Sequence, residues 1–311
     1  MTMTLTALWQ RWLNRPVARH RGHPTPQRRA RLGLECLEGR EVPASYTAAT
    51  VPELIARIDA ANLSAEADTI TLAPGKIFTL TAVNNTSYGY WANGLPVIAA
   101  AGGGLTIVGN GDAIERSTNG KTPDFRLFDV QAGASLTLED LTLQGGSNSV
   151  GGAIYNRGTL TMNGVTVQKN IAANGGAIYS SGSLRLQDCL IQDNQAVGSD
   201  GSDGARALWS KRDGYFYFPP SPGGWGLGGG VYVAGGTAEL LGTTVTRNTA
   251  KGGLGGQGKY GLPNAPDGFG QGGGLYIASY AAVVLDAFTA THVTANTADL
   301  DPDIYGIVTI S

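Results

Sequence analysis

Two short acidic runs are where this 311-residue sequence comes nearest to a metal or acid–base site: GSDGSDG carries Asp200 and Asp203, and DLDPD carries Asp299, Asp301 and Asp303. Closely spaced carboxylates on turns suit Ca²⁺, which accepts several oxygen ligands in flexible geometry. Solvated turn residues of the same types are far commoner, and no other cofactor is implied. Outside the first 45 residues the only histidine is His292, in the strand-like run FTATHVT, so a histidine base has one candidate. Asp188 and Asp193 sit in one copy of a repeat whose next copy has Gly242 and Arg247 in their places. Cys36 and Cys189 fit no metal or redox spacing. GGLGGQG and GLGGG have no strand before them and no helix after them, so they do not form a phosphate cradle. No residue is assigned a catalytic role.

Aromatic residues are better placed for recognition. Trp209, Tyr215, Tyr217 and Trp225 lie in one interruption of the repeat, residues 195–227, and Tyr260 and Phe269 in a second, residues 249–271. Long insertions of this kind are usually functional or disordered. Rings there can stack on sugars or make protein contacts, or fold down over a flank of the fold. Both insertions leave from the same corner of adjacent copies, which predicts that they lie side by side.

The repeat decides which elements carry these residues. The string G-G-[AG]-[ILV]-Y begins at Gly151, Gly175, Gly228 and Gly272. Each copy continues with an apolar alternation (Leu160/Met162, Leu184/Leu186, Ala238/Leu240, Val283/Leu285) and a third apolar segment ending at Asn170, Asn194, Asn248 or Asn296. Strands this short cannot stand alone, so successive copies must stack, each strand pairing with its counterpart. The expected fold is all-β, a right-handed parallel β-helix with three short strands per turn. The Gly-Gly pairs are expected at corners needing positive φ. The Asn residues are expected to form an amide ladder and to take the left-handed conformation where the chain turns. Alternation puts Tyr155, Tyr179, Tyr232 and Tyr276 in an outward column opposite their aliphatic neighbours. Upstream, TVPELIARIDAAN predicts a capping helix over about 51–62, with Thr50 and Glu53 as a capping box. DTITL, IFTLT, LTIVGNG, FRLFDV and ASLTLEDLTLQGG predict earlier strands.

Composition agrees with a turn-rich β protein: glycine is 47 of 311 residues and only 15% are charged. The net charge of −2 hides an asymmetry, because residues 1–45 hold eight Arg against Glu35, Glu38 and Glu41, which leaves −7 on the rest. That balance excludes a nucleic-acid surface on the folded part. The apolar patch near the start is broken by Arg11 and Arg15, so no membrane span is predicted. The organisation expected is a disordered basic leader, 1–45, and a single domain, 46–311.

Three stretches carry family resemblances. LECLEGREVPA, Leu34 to Ala44, resembles a bacterial leader of pattern LExLExRxxPA associated with export of large repeat-rich proteins, which implies export and removal near Ala44. LIARIDAAN followed by ADTITLAPGKIFTLT is similar to the start of CSLREAI-type domains. Ile58, Ala60, Ala61 and Asn62 match, whereas Pro52 and Glu53 replace that family's Cys and Ser, and its Arg-Glu is absent. The GGA[IL] copies resemble the repeats of polymorphic outer membrane proteins and of the pectin-lyase-like superfamily. Together these cover most of Thr47 to Gly306 and imply a β-helix on an exported surface protein.

The function expected is therefore non-enzymatic: an adhesion or matrix module, extracellular or at the outer membrane, binding a glycan or a surface protein. The alternative is a carbohydrate-active enzyme, a polysaccharide lyase or hydrolase, with Asp200, Asp203 and Arg206 as its candidates. The strand-like end DIYGIVTIS is expected to leave an open edge suited to end-to-end or edge association.

Overall fold

In a computed structural model of the chain, residues 44–87, 91–210 and 214–311 are described, except for the side chains of 207–210 and 214–216. All belong to the unit Glu41–Ser311. The basic leader, most of its LECLEGREVPA motif and Cys36 lie outside the described residues.

The protein is mostly β-strand, with sheets that are mainly parallel. Each short strand pairs with the equivalent strand of the next copy. In a six-stranded sheet Ile154–Asn156 lies against Ile178–Ser180, which lies against Val231–Val233 and then Leu275–Ile277. The second strands follow the same rule in the largest sheet, with Leu160 opposite Leu184, then Ala238, then Val283. So do the third strands, with Val167 opposite Ile191, then Val245, then Val293. Aliphatic residues from all three strands are buried in one continuous core. Each full burial of such a side chain contributes about 1.5–3 kcal/mol, which three-residue strands cannot supply without neighbours.

The terminal Asn residues lie inside this core and answer one another. The amide N–H and Nδ2 of Asn170 both donate to Oδ1 of Asn194, at 3.0 Å each. Asn194 does the same to Asn248 at 3.0 and 2.9 Å, and Asn248 to Asn296 at 2.9 and 3.0 Å. Each Nδ2 also reaches a backbone carbonyl of the preceding copy, such as Val167 O from Asn194 at 2.9 Å. The column ends at Asp303, whose Oδ1 accepts from Asn296 N and Nδ2 at 3.1 and 3.0 Å.

The left-handed residue at this corner is not the Asn, as the sequence suggested, but the one before it. Lys169, Asp193, Arg247 and Ala295 have φ between 53° and 57°. That turn carries the following side chain inward, so the Asn is chosen for its amide and not for its backbone tolerance. The bend between second and third strands is left-handed as well, at Asp140, Gly164, Asp188 and Gly242. Asp188 and Asp193 are thus corner residues.

The Gly-Gly pair has two separate causes. The first glycine takes positive φ, 60° at Gly151 and 64° at Gly175. The second faces the next copy so closely that a Cβ on Gly152 would lie 2.2 Å from Gly176 O.

The helix Val51–Ala61 begins at Thr50, whose side chain accepts from Glu53 N, while Glu53 Oε2 accepts from Ala49 N at 2.8 Å. It buries Leu54, Ile58 and Ala61. Asn62 then fastens its end, donating to Val97 O and accepting from Ala99 N.

Two expectations need correction. Ser45, assigned to the leader, opens a strand, Ser45–Ala48, that pairs with Asp68–Leu72, and Ala44 N donates to Asp68 Oδ1 at 2.7 Å. His292 is not in a strand, because Ala287–His292 is a short helix capped by Asp286, whose carboxylate accepts from Thr289 N at 2.8 Å. Its Nδ1 lies 2.8 Å from Phe288 O and its ring stacks on Phe288, so the one histidine base candidate closes a helix.

Replacing Asn194 by Ala strands the Asn170 amide donors inside the core and is expected to cost about 2–4 kcal/mol in urea unfolding. Lys169→Gly, which only relieves a left-handed residue, is expected to stabilise by about 1 kcal/mol in the same measurement.

Candidate binding surfaces: an aromatic row and a glycine-rich arm

Alternation along the six-stranded sheet sends Ile154, Ile178, Val231 and Leu275 inward and their Tyr neighbours outward, half-buried. Because the strands are in register, the rings fall one above another. Centroids are 5.4 Å apart from Tyr155 to Tyr179, 4.8 Å from Tyr179 to Tyr232, and 4.7 Å from Tyr232 to Tyr276. The row is longer than the repeat string shows. Trp91 stands edge-on to Tyr155 at 5.5 Å, and Tyr305 stacks on Tyr276 at 4.7 Å and 12°. At the Tyr305 end a cavity of about 630 Å³ is lined by Tyr232, Tyr276, Tyr280, Asp301 and Tyr305, among others. Tyr280 is 79% exposed there.

Packing ring on ring disfavours a phenolate. The Tyr179 hydroxyl is pushed up to about 12, first by burial and then by Tyr232, Tyr155 and Tyr280. Tyr232 and Tyr276 are raised for the same reasons.

Among the described residues the two insertions do lie side by side, with their backbones hydrogen-bonded to one another. Gln195–Val197 pairs with Thr249–Lys251, and beyond them the chains run on together. Gly198, Gly201 and Gly204 donate to the carbonyls of Lys251, Leu254 and Gln257 at 2.9, 2.8 and 2.9 Å. The returning segments join them: Ser221 and Gly224 donate to Ser202 and Ser199, Gly253 and Gly256 to Gly224 and Ser221, and Ala265 and Gly268 to Gly256 and Gly253. Donation every third residue, from chain to neighbouring chain, is how polyproline-II-type chains pack. Glycine is required where chains touch, since a Cβ on Gly201 would lie 2.0 Å from Ser221 O and one on Gly253 2.1 Å from Ser199 O. Seven residues at this rise make an arm of about 20 Å.

The SD pairs of GSDGSDG belong to that packing. Asp200 Oδ1 accepts from Leu254 N at 2.8 Å and Asp203 Oδ1 from Gln257 N at 2.9 Å. Asp203 also pairs with Lys259 at 3.0 Å, and these two contacts hold its carboxyl below its ordinary value. Asp299 accepts from Gly270 N, Asp303 ends the amide column, and Asp301 takes positive φ beside the cavity. Among the described residues no group of three or more His, Cys, Asp or Glu could hold a metal ion.

Of the aromatic candidates in the insertions, Tyr217 meets Tyr260 at 5.1 Å, and Trp225 meets Phe269 edge-on at 6.4 Å. All four are about half exposed. Trp209 and Tyr215 are opposite one another in the hairpin Ala205–Ser210/Gly214–Phe218, and their side chains lie outside the described residues. The structure thus extends the expected tyrosine column at both ends, by Trp91 and Tyr305, and pairs rings across the two insertions. Tyr305 had a signal, since DIY repeats the end of GAIY. So did the arm, in glycines spaced by three at 198, 201 and 204. Trp91 had none, because no repeat marks it.

These features define a mostly-β protein of parallel, repeat-paired strands that displays aromatic rings outward. Comparison with family models, with curated proteins and with solved structures finds no match.

Two outcomes test the geometry. Gly201→Ala is expected to open the arm and leave the sheets intact, read as faster proteolysis within 199–225 with far-UV dichroism unchanged. A tyrosine whose folded pKa is raised contributes stability that is full below the unfolded value near 10 and is lost as pH climbs towards 12. Melting temperature should therefore fall across that window, with the tyrosinate absorbance of Tyr179 appearing last.

Proposed function

We propose that the chain is an exported bacterial surface or matrix protein that binds a glycan, or a protein bearing one, without transforming it. The carrying observation is the row of six rings from Trp91 to Tyr305, which ends in an open cavity beside Tyr280. Aromatic faces offer apolar area with a polar tip, which suits the C–H faces and hydroxyls of sugars. A row with one direction and nearly constant spacing suits an extended polymer better than a compact ligand.

The architecture we assign is a right-handed parallel β-helix, three short strands per turn, with the helix Val51–Ala61 as its cap. In-register pairing of all three strands from copy to copy around one core supports this reading. The hand follows from the right-handed bias of parallel crossovers. Kinship with CSLREAI-type and polymorphic outer membrane repeats rests on LIARIDAAN, DTITL and the GGA[IL] copies, and export on LECLEGREVPA. Binding without turnover is favoured over a lyase because Asp200 and Asp203 are engaged with backbone N–H groups inside the arm.

On a glycan array, wild type is expected to retain a ligand that Tyr276→Ala/Tyr280→Ala binds about tenfold more weakly. Trp225→Ala reports on the arm separately. A double variant that binds as wild type does would overturn the assignment to the row, as would unsaturated or shortened sugar products. Cell fractionation that leaves the full chain in the cytoplasm would overturn export.

A further inference from the structure

The Trp91 end of the row conceals a charge that the fold does not use. Arg126 is fully buried, and its Nε, Nη1 and Nη2 have no hydrogen-bond partner. Burying a guanidinium without partners is among the costlier choices a protein can make. What it has instead is rings: its Cζ lies 4.9 Å from the Tyr155 ring centre and 5.6 Å from that of Trp91. Cation–π attraction offsets only part of such a cost.

The neighbouring charges do not cancel it. Asp129, also fully buried, accepts from Arg157 Nη2 at 2.9 Å and from Ser87 Oγ. With Asp129 engaged by Arg157, the two arginines and one carboxylate leave one positive charge in excess. Asp124, two residues from Arg126, is largely exposed and pairs with Arg116 at 3.5 Å. The Arg126 backbone is held on both sides, donating to Ala92 O at 3.1 Å and accepting from Gly94 N at 2.8 Å. An open cavity of about 390 Å³ is lined by Trp91, Ala92, Asp124, Ser147, Asn148 and Ser149.

We propose that the Arg126 guanidinium is an oxyanion site, taking a sulfate or carboxylate group when the Trp91 ring swings towards this cavity. An oxyanion supplies acceptors for the empty donors in fork geometry and neutralises the excess charge. The group comes either as a free inorganic anion or on an acidic sugar stacked on Trp91 and Tyr155. The second source rests on the glycan reading of the row.

The test is thermal unfolding of the full chain in sodium sulfate against sodium chloride at equal ionic strength. Wild type is expected to gain about 5 °C at a hundredfold excess over the sulfate Kd, with saturation. Arg126→Met, a volume-matched apolar replacement, is expected to fold and to show no such gain. Equal melting in the two salts overturns the proposal, as does a gain that survives in Arg126→Met. If that variant does not fold, the Nε–H resonance of Arg126 in wild type decides: a saturable shift with sulfate supports the site, and an unmoved resonance overturns it. Paired sulfated and desulfated forms of one glycan separate the sources. About tenfold tighter binding of the sulfated form, abolished in Arg126→Met, assigns a ligand-borne group. Sulfate stabilisation with neither glycan bound assigns a free anion, and removes the glycan reading while the oxyanion site stands.

Discussion

The fold depends on a rule of exact superposition between copies: a buried amide must find the same amide one copy further on. The column Asn170, Asn194, Asn248 and Asn296 imposes it, since the Oδ1 of each of the last three accepts two bonds from the Asn before it. A slip of one residue would bring carbonyls and donors out of step inside an apolar core, where every unmet polar group is costly. Aliphatic side chains alone would tolerate such a slip far better, because burial is non-directional. Register therefore comes from the polar column and cohesion from the apolar ones. The Tyr rings meet outside because the amides meet inside.

Much of this was legible because repetition multiplies weak signals. One GGAIY says little, but four at corresponding places, each followed by the same apolar alternation and an Asn, leave few ways to pair the strands. The capping helix was equally readable, from Thr50 and Glu53 through to Asn62. What escaped notice lay where the copies differ. Ala287–His292 is a six-residue helix whose only strong marker is the Asp286 cap, and its Thr-rich interior reads as strand. Asp303 replaces Asn by function and not by position, so no spacing marks it. Trp91 and Arg126 belong to unrepeated segments brought together by the parallel contact of Asn93 with Arg126.

The insertions were legible as neighbours but not as a packed arm, because a three-residue glycine period looks like low complexity until its partner chain is known. Their donors point to other chains, and no single segment shows that its N–H groups are met. The tyrosine column was legible as an assembly, but the rings of the insertions were legible only as residues. Tyr217 with Tyr260 and Trp225 with Phe269 are contacts across the two insertions, more than forty positions apart. The acidic residues of the two runs add a role that spacing does not show, since Asp200, Asp203 and Asp299 each accept from a backbone N–H.

The arm is woven from two consecutive copies, so neither insertion is complete without the other. A chain that lengthened only one of these corners would expose a row of glycine N–H and carbonyl groups with nothing to receive them. The two insertions are therefore one structural unit written in two separate places.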